Sequence, residues 1–222
     1  MLQTQLYVNV HTAELDSAIL RALPALARLR PEVRWVSPLR ADGYREFWDA
    51  AFLRALGFPE LGARLGEWWP RRGGPHWDAL ARLEFTDDGT AGVLLVEGKS
   101  YPEEMYDNRG CAASSVASLE KIRTALVETQ RWLSVDRPVE SWLRPLYQTA
   151  NRLATLHWLM EQLDGRAWLV HLCFINDATH IRSTRSEWED AFDEADRALG
   201  IERPVPNYAH VFLEGLPRPA AL

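Results

Sequence analysis

The sequence predicts an α/β fold, a sandwich of helices around a central mixed sheet. Three features predict it. Apolar residues recur at helical spacing up to a break at Pro70-Arg-Arg-Gly-Gly-Pro75. Two short apolar runs, 92–96 and 167–175, have the length and β-branched content of strands buried on both faces. Helical and strand patterns alternate after the break, which is the signature of layered α/β architecture.

Before the break, Leu15, Ile19, Leu20, Leu23, Leu26 and Leu29 share a stripe that predicts a helix over 13–29. Thr12 is its cap and Pro24 a kink. A second helix is expected from about Gly43 to Leu56, where Phe47, Ala51, Leu53 and Leu56 align and Gly57 ends the run. A short third is expected near Glu60 to Trp68. After the break, runs 78–85 and 92–96 flank Thr86-Asp-Asp-Gly-Thr90, a hairpin signal. Helices are expected at roughly 113–133 and 145–163, a strand at 167–175, a charged amphipathic helix at 185–199 and a last strand at 208–213. No repeat or linker divides the chain, so one domain over 1–222 is expected, with a helical extension at about 1–42.

Composition narrows the function classes. Hydrophobic residues make up 47% of the chain and charged residues 25%, close to the average soluble domain. No apolar run approaches the ~18 residues of a membrane span, so no membrane partner is expected. Met1 to Leu6 lack the basic start and apolar stretch of a signal peptide, and two cysteines fit a reducing compartment, so a cytoplasmic location is expected. A net charge of −6 argues against coating nucleic acid by bulk electrostatics and leaves a local basic groove open. Of the 25 basic residues only Lys99 and Lys121 are Lys, so a lysine here invites a task that Arg does not perform.

The hairpin supplies the chemistry. The midpoint of positions 78 and 97 falls between Asp87 and Asp88, which makes Asp78 and Glu97 cross-strand neighbours with Cβ atoms about 4.5–5.5 Å apart. Glu97 and Lys99 point to one face because side chains alternate along a strand. Two carboxylates so close repel unless a cation sits between them. Mg²⁺ suits oxygen ligands and keeps several waters, and a compact ammonium beside it can neutralise developing charge. Gly98 faces away from these groups and leaves room for a covering helix; Ser100 shares that second face. A structural Glu-Lys pair, with Asp78 as a strand-entry or turn residue, is the plain alternative; the hairpin midpoint, the apolar strand leading into Glu97 and the scarcity of lysine count against it.

Asp78 followed by Val93-Leu-Leu-Val-Glu97-Gly98-Lys99 resembles the PD-(D/E)XK nuclease superfamily, although Trp77 rather than proline precedes the aspartate. The resemblance covers about 43–176 and implies a restriction-endonuclease-like α/β/α sandwich with core order α-β-β-β-α-β, one strand of which is not visible in the sequence. It implies Mg²⁺, with Mn²⁺ substituting, on Asp78 and Glu97, and Lys99 assisting phosphodiester hydrolysis. Members often add an acid from a preceding helix, for which Glu46 comes first and Asp49 next; a solvated helix face is the simpler explanation of both. Members also bring in a polar residue from a later helix, here Gln148, with Asn151 and Arg152 on the same face at i+3 and i+4. The implied activity is a nuclease on nucleic acid, DNA before RNA, with a homodimer allowed for. The alternative is a binding or assembly module of the same fold with weak or no catalysis.

Other motifs fall away. Gly98-Lys99-Ser100 has Val at position 93, where a phosphate loop needs its first glycine, so an NTPase is rejected. His171, Cys173 and His180 are a poor zinc set, better explained by core packing. No G-x-S-x-G or H-E-x-x-H occurs. Trp132, Trp158 and Trp168 read as core. Trp77 should point away from Asp78 unless the strand opens on a bulge, and Arg71 and Arg72 form a small basic edge that fits phosphate contact or ordinary surface.

Overall fold

The structure, a computed structural model, describes residues 2–87, 89–106 and 110–218. Its helices are α1 (Leu2–Asn9), α2 (Thr12–Ala22), α3 (Pro24–Arg28), α4 (Ala50–Ala55), α5 (Leu61–Trp68), α6 (Val116–Trp132), α7 (Glu140–Leu143), α8 (Tyr147–Gln162) and α9 (Arg185–Leu199). Its strands are β1 (Glu32–Ser37), β2 (Ala79–Glu84), β3 (Ala91–Lys99), β4 (Ala167–Ile175) and β5 (Tyr208–Glu214). They form one mixed sheet in the order β1-β2-β3-β4-β5. β2 pairs antiparallel with β1 and β3, while β3–β4 and β4–β5 are parallel. Among the described residues no helix is long and apolar enough to cross a membrane.

Each sheet face packs its own core. Leu80, Val93, Leu95, Leu169 and Cys173 face α4, α5, α6, α8 and α9. Ala79, Ala81, Leu94, Val96, Val170 and Leu172 face α1, α2 and α3. The chain therefore folds as α/β with helices on both sides of the sheet. Val93 through Val96 are fully buried, as an apolar run on a two-sided strand requires, and each such side chain contributes about 1.5–3 kcal/mol of transfer free energy.

Three expectations need correction. Residues 32–37, expected inside a helical extension, form edge strand β1. Its polar residues Glu32 and Arg34 face out on alternate positions, and Trp35 Nε1 donates to Asp16 at 2.9 Å. Residues 43–49, expected as the start of a helix, are not helical. Gly43, Tyr44 and Asp49 have φ of 65°, 59° and 48°, values no α-helix accommodates; Phe47 instead bridges Trp77, and α4 starts at Ala50. The helix over 13–29 divides at Leu23, where Pro24 starts α3. α1 was not foreseen.

Candidate active site

The β2–β3 register decides the geometry. The β2–β3 ladder ends with Ala79 opposite Val96, so Asp78, one residue before β2, lies beside Glu97 without pairing to it; Asp88 of the turn lies outside the described residues. Strand alternation breaks between Trp77 and Ala79. Trp77 packs in the same core as Leu80, three residues on, because its backbone pairs with Phe47 and not with β3. Asp78 is freed to reach round the strand end, and its Oδ2 accepts from Gly98 N–H at 2.8 Å.

Glu97 sits between two cations. Its Oε1 accepts from Lys99 Nζ at 2.9 Å, and its Oε2 accepts from Arg152 Nε at 2.8 Å. Glu97 is 2% exposed, Lys99 5% and Arg152 4%. Lys99 also donates to Gln148 Oε1 from α8. Arg152, one turn further along α8, is fixed by His76 O and Asn151 Oδ1, both at 2.7 Å, and lies 5.0 Å over the Trp77 ring. Gln148 on α8 thus meets Lys99.

These contacts push the two acids in opposite directions. Burial would raise Glu97, but the Arg152 and Lys99 charges together outweigh it and hold the carboxyl below its usual range. Asp78 is pushed up to about 7 by burial and by the Glu97 charge, with the Gly98 N–H and Arg152 opposing. One site therefore holds a firmly ionised acid beside one poised near neutrality, a pattern that accompanies acid–base and metal chemistry.

An open pocket of about 420 Å³ exposes this cluster. Asp78, Glu97, Lys99, Gln148, Glu104 and His180 line it. Glu104 is anchored by Ser100 N–H at 2.7 Å. Glu46 does not line the pocket. It stands on the extended segment beside the Phe47–Trp77 bridge, where burial raises its pKa, with His76 opposing and Glu97 adding to the rise. Asp49 is placed elsewhere: its Oδ1 accepts from Gly74 N–H at 2.8 Å and holds the break segment.

No known protein family, characterised protein or solved structure matches this chain.

Whether the site fits a cation turns on its donors. Among the described residues, no group of three or more His, Cys, Asp and Glu is disposed to hold a metal, which disfavours zinc with its four protein ligands. Mg²⁺ needs only one or two carboxylates and keeps water on its other positions. Asp78 and Glu97 supply two; burial is the larger cause of the raised Asp78 pKa and the Glu97 charge the next, and a cation would relieve the second. A magnesium ion here would be held by Asp78 and Glu97, with both oxygens of Glu97 shared with Lys99 and Arg152.

The alleged zinc residues separate. Cys173 is buried with its thiol toward His171 O, and His171 Nδ1 contacts the Tyr208 hydroxyl, which also meets His210 Nε2 at 2.8 Å. Both histidines have lowered pKa values through burial, His210 to about 4. His180 instead lines the acidic pocket, which its sequence context gave no way to foresee. Arg152 was legible as an α8 face-mate of Gln148, but its grip on Glu97 required the packing of α8 on β3.

Proposed function

We propose that this chain is a magnesium-dependent nuclease of the PD-(D/E)XK type, hydrolysing phosphodiester bonds of DNA. The observation that carries the reading is the convergence of Asp78, Glu97 and Lys99 at the open end of a two-sided sheet. The order of elements lends support: a helix, β1, β2, β3, α6–α8 and β4 can be laid on the α-β-β-β-α-β plan if α4 and α5, between β1 and β2, are taken as an insertion.

In this reading Asp78 and Glu97 hold the ion, with Glu46 adding negative charge nearby. Magnesium, when bound, polarises a phosphoryl oxygen and activates water. Lys99 is the catalytic cation, fixed by Glu97 and Gln148 so that its charge stands ready where negative charge grows. Gln148 is its positioning residue. Arg152 locks the Glu97 rotamer and keeps that carboxylate ionised.

A second reading is favoured by the same Arg152: with both oxygens of Glu97 already engaged by cations, the site is neutralised internally, as a binding module without catalysis would be. Incubation of linear, supercoiled and single-stranded DNA with Mn²⁺ separates the two. The nuclease reading expects cleavage that disappears in Asp78→Ala, Glu97→Ala and falls at least a hundredfold in Lys99→Ala, the usual scale for a positioned proton-transfer or charge-stabilising group. It also expects Mn²⁺ to raise the wild-type Tm and leave the double variant's unchanged. A Tm indifferent to metal in the wild type, with no cleavage, selects the binding module. Full activity in Lys99→Ala sinks the mechanism.

A further inference from the structure

On the far side of Gln148 from the acidic pocket lies a groove of about 460 Å³, and Gln148 lines both. One wall is the break segment, which contributes Arg72; the other is the start of α6 and the segment before it, which contribute Ser118 and Ser114; Asn151 and Arg152 form the floor. Among the described residues that line it none is acidic, in a chain with 31 Asp and Glu and a net charge of −6. The neighbouring pocket carries three carboxylates, Asp78, Glu97 and Glu104. A compartment suited to a cation and one suited to an anion therefore share a single side chain as their boundary. The basic pair of the break segment is divided between two jobs, since Arg71 packs against Gly66 beside a separate apolar pocket and Arg72 alone faces the groove.

His76, which lines the groove, belongs to an aromatic pair beside it. His76 stacks on Trp48 with centroids 4.8 Å apart and planes inclined by 10°, and Trp48 is 44% exposed. An indole held flat against a second ring and open to solvent offers a π face at little entropic cost. Bases stack on such faces without regard to sequence. Glu46 lies within electrostatic reach of His76, so the phosphate belongs on the Arg72 side of the groove and the base on the Trp48 side.

Resting on the nuclease reading, we propose that this groove holds the flanking strand of the substrate as single-stranded DNA, a phosphate between Arg72 and the Ser114 and Ser118 hydroxyls and a base on the Trp48–His76 pair. A base still paired and stacked in a duplex has no free face for the indole, and the groove has the volume of a small-ligand cleft.

Fluorescence anisotropy of an end-labelled 12-mer of oligothymidylate, and of a matched blunt duplex, tests this in EDTA at low salt, where binding is read without cleavage. Wild type is expected to bind the single strand at least tenfold more tightly than the duplex. Arg72→Glu should weaken the single strand about tenfold and reduce the slope of log affinity against log salt by about one. Trp48→Ala should weaken it five- to tenfold with the slope unchanged. Arg203→Glu, in the separate pocket beside β5, should match wild type. Equal affinity for duplex and single strand, or wild-type binding in both Arg72→Glu and Trp48→Ala, overturns the proposal. Variant-sensitive binding with no Mn²⁺-dependent cleavage supports the groove and removes the nuclease reading. Cleavage with variant-insensitive binding removes the groove and leaves the nuclease reading intact.

Discussion

Arg152 is the residue on which the buried charges balance. At 2% exposure Glu97 stays ionised because Arg152, with Lys99, offsets its burial, since a carboxylate taken out of water loses several kcal/mol of solvation. Truncating one partner of a buried ion pair typically costs about 3–5 kcal/mol. Lys99 still holds Oε1, so Arg152→Ala is expected near the lower end of that range, measured by urea denaturation. Adding Glu97→Gln should recover part of the loss; a double variant no more stable than the single one would show that Arg152 acts through Trp77 and the His76 carbonyl instead. At this scale the sequence was informative about residue types and less so about partners. Asp78, Glu97 and Lys99 follow from strand alternation and hairpin register, both local rules. Arg152 meets Glu97 across 55 residues, and no local rule spans that distance.

Among the elements, α1 approaches β3 closely beside the site. A Cβ at Gly98 would lie 2.6 Å from Thr4 Oγ1, so the glycine is the gap into which the helix settles, as its outward-facing position suggested. Gly98→Ala is therefore expected to destabilise by about 1–3 kcal/mol through overpacking. Thr4→Ala in the same chain should restore most of it, since the Thr4 hydroxyl has no partner to lose. Midpoints of chemical denaturation at constant m-value check this, and no recovery in the double variant would refute the contact as the cause. The strands and long helices were legible because their periodicity is strong and mostly apolar. α1 was not, because it is anchored by polar side chains: Gln3 is buried and bonds Asp177 and Leu216 at 3.0 and 2.9 Å. β1 did alternate polar and apolar residues, but as a half-exposed edge strand it lacked the continuous apolar run that marks β3 and β4.

For the molecule as a whole, the site should be visible in global stability. Asp78 titrates at about 7 in the folded chain against about 3.9 when unfolded. Between those values the folded state holds a proton that the unfolded state has released, so this group makes stability fall as pH rises through the window, by up to about tenfold in the folding constant per pH unit. The difference between wild type and Asp78→Asn should therefore grow from pH 4 to 7 and level off above, with the variant the more stable at pH 8 in EDTA. Mg²⁺ should close that gap by stabilising wild type alone. Parallel stability curves for the two proteins would mean that neither burial nor the Glu97 charge raises Asp78. The layered class was readable from the order of helical and strand patterns, whereas the placement of residues 43–49 depended on three positive φ angles that residue type did not announce.

The Tyr208 hydroxyl, lodged between His171 and His210, has one further consequence. A phenol carries a single hydrogen, so when it points at one imidazole the other ring must supply its own hydrogen to the phenol oxygen. His171 offers Nδ1 and His210 offers Nε2. With both rings neutral, aiming the phenol at His171 places both ring hydrogens on Nε2, and aiming it at His210 places both on Nδ1. The two tautomers are thereby locked in step across β4 and β5, and neither ring can change without the other.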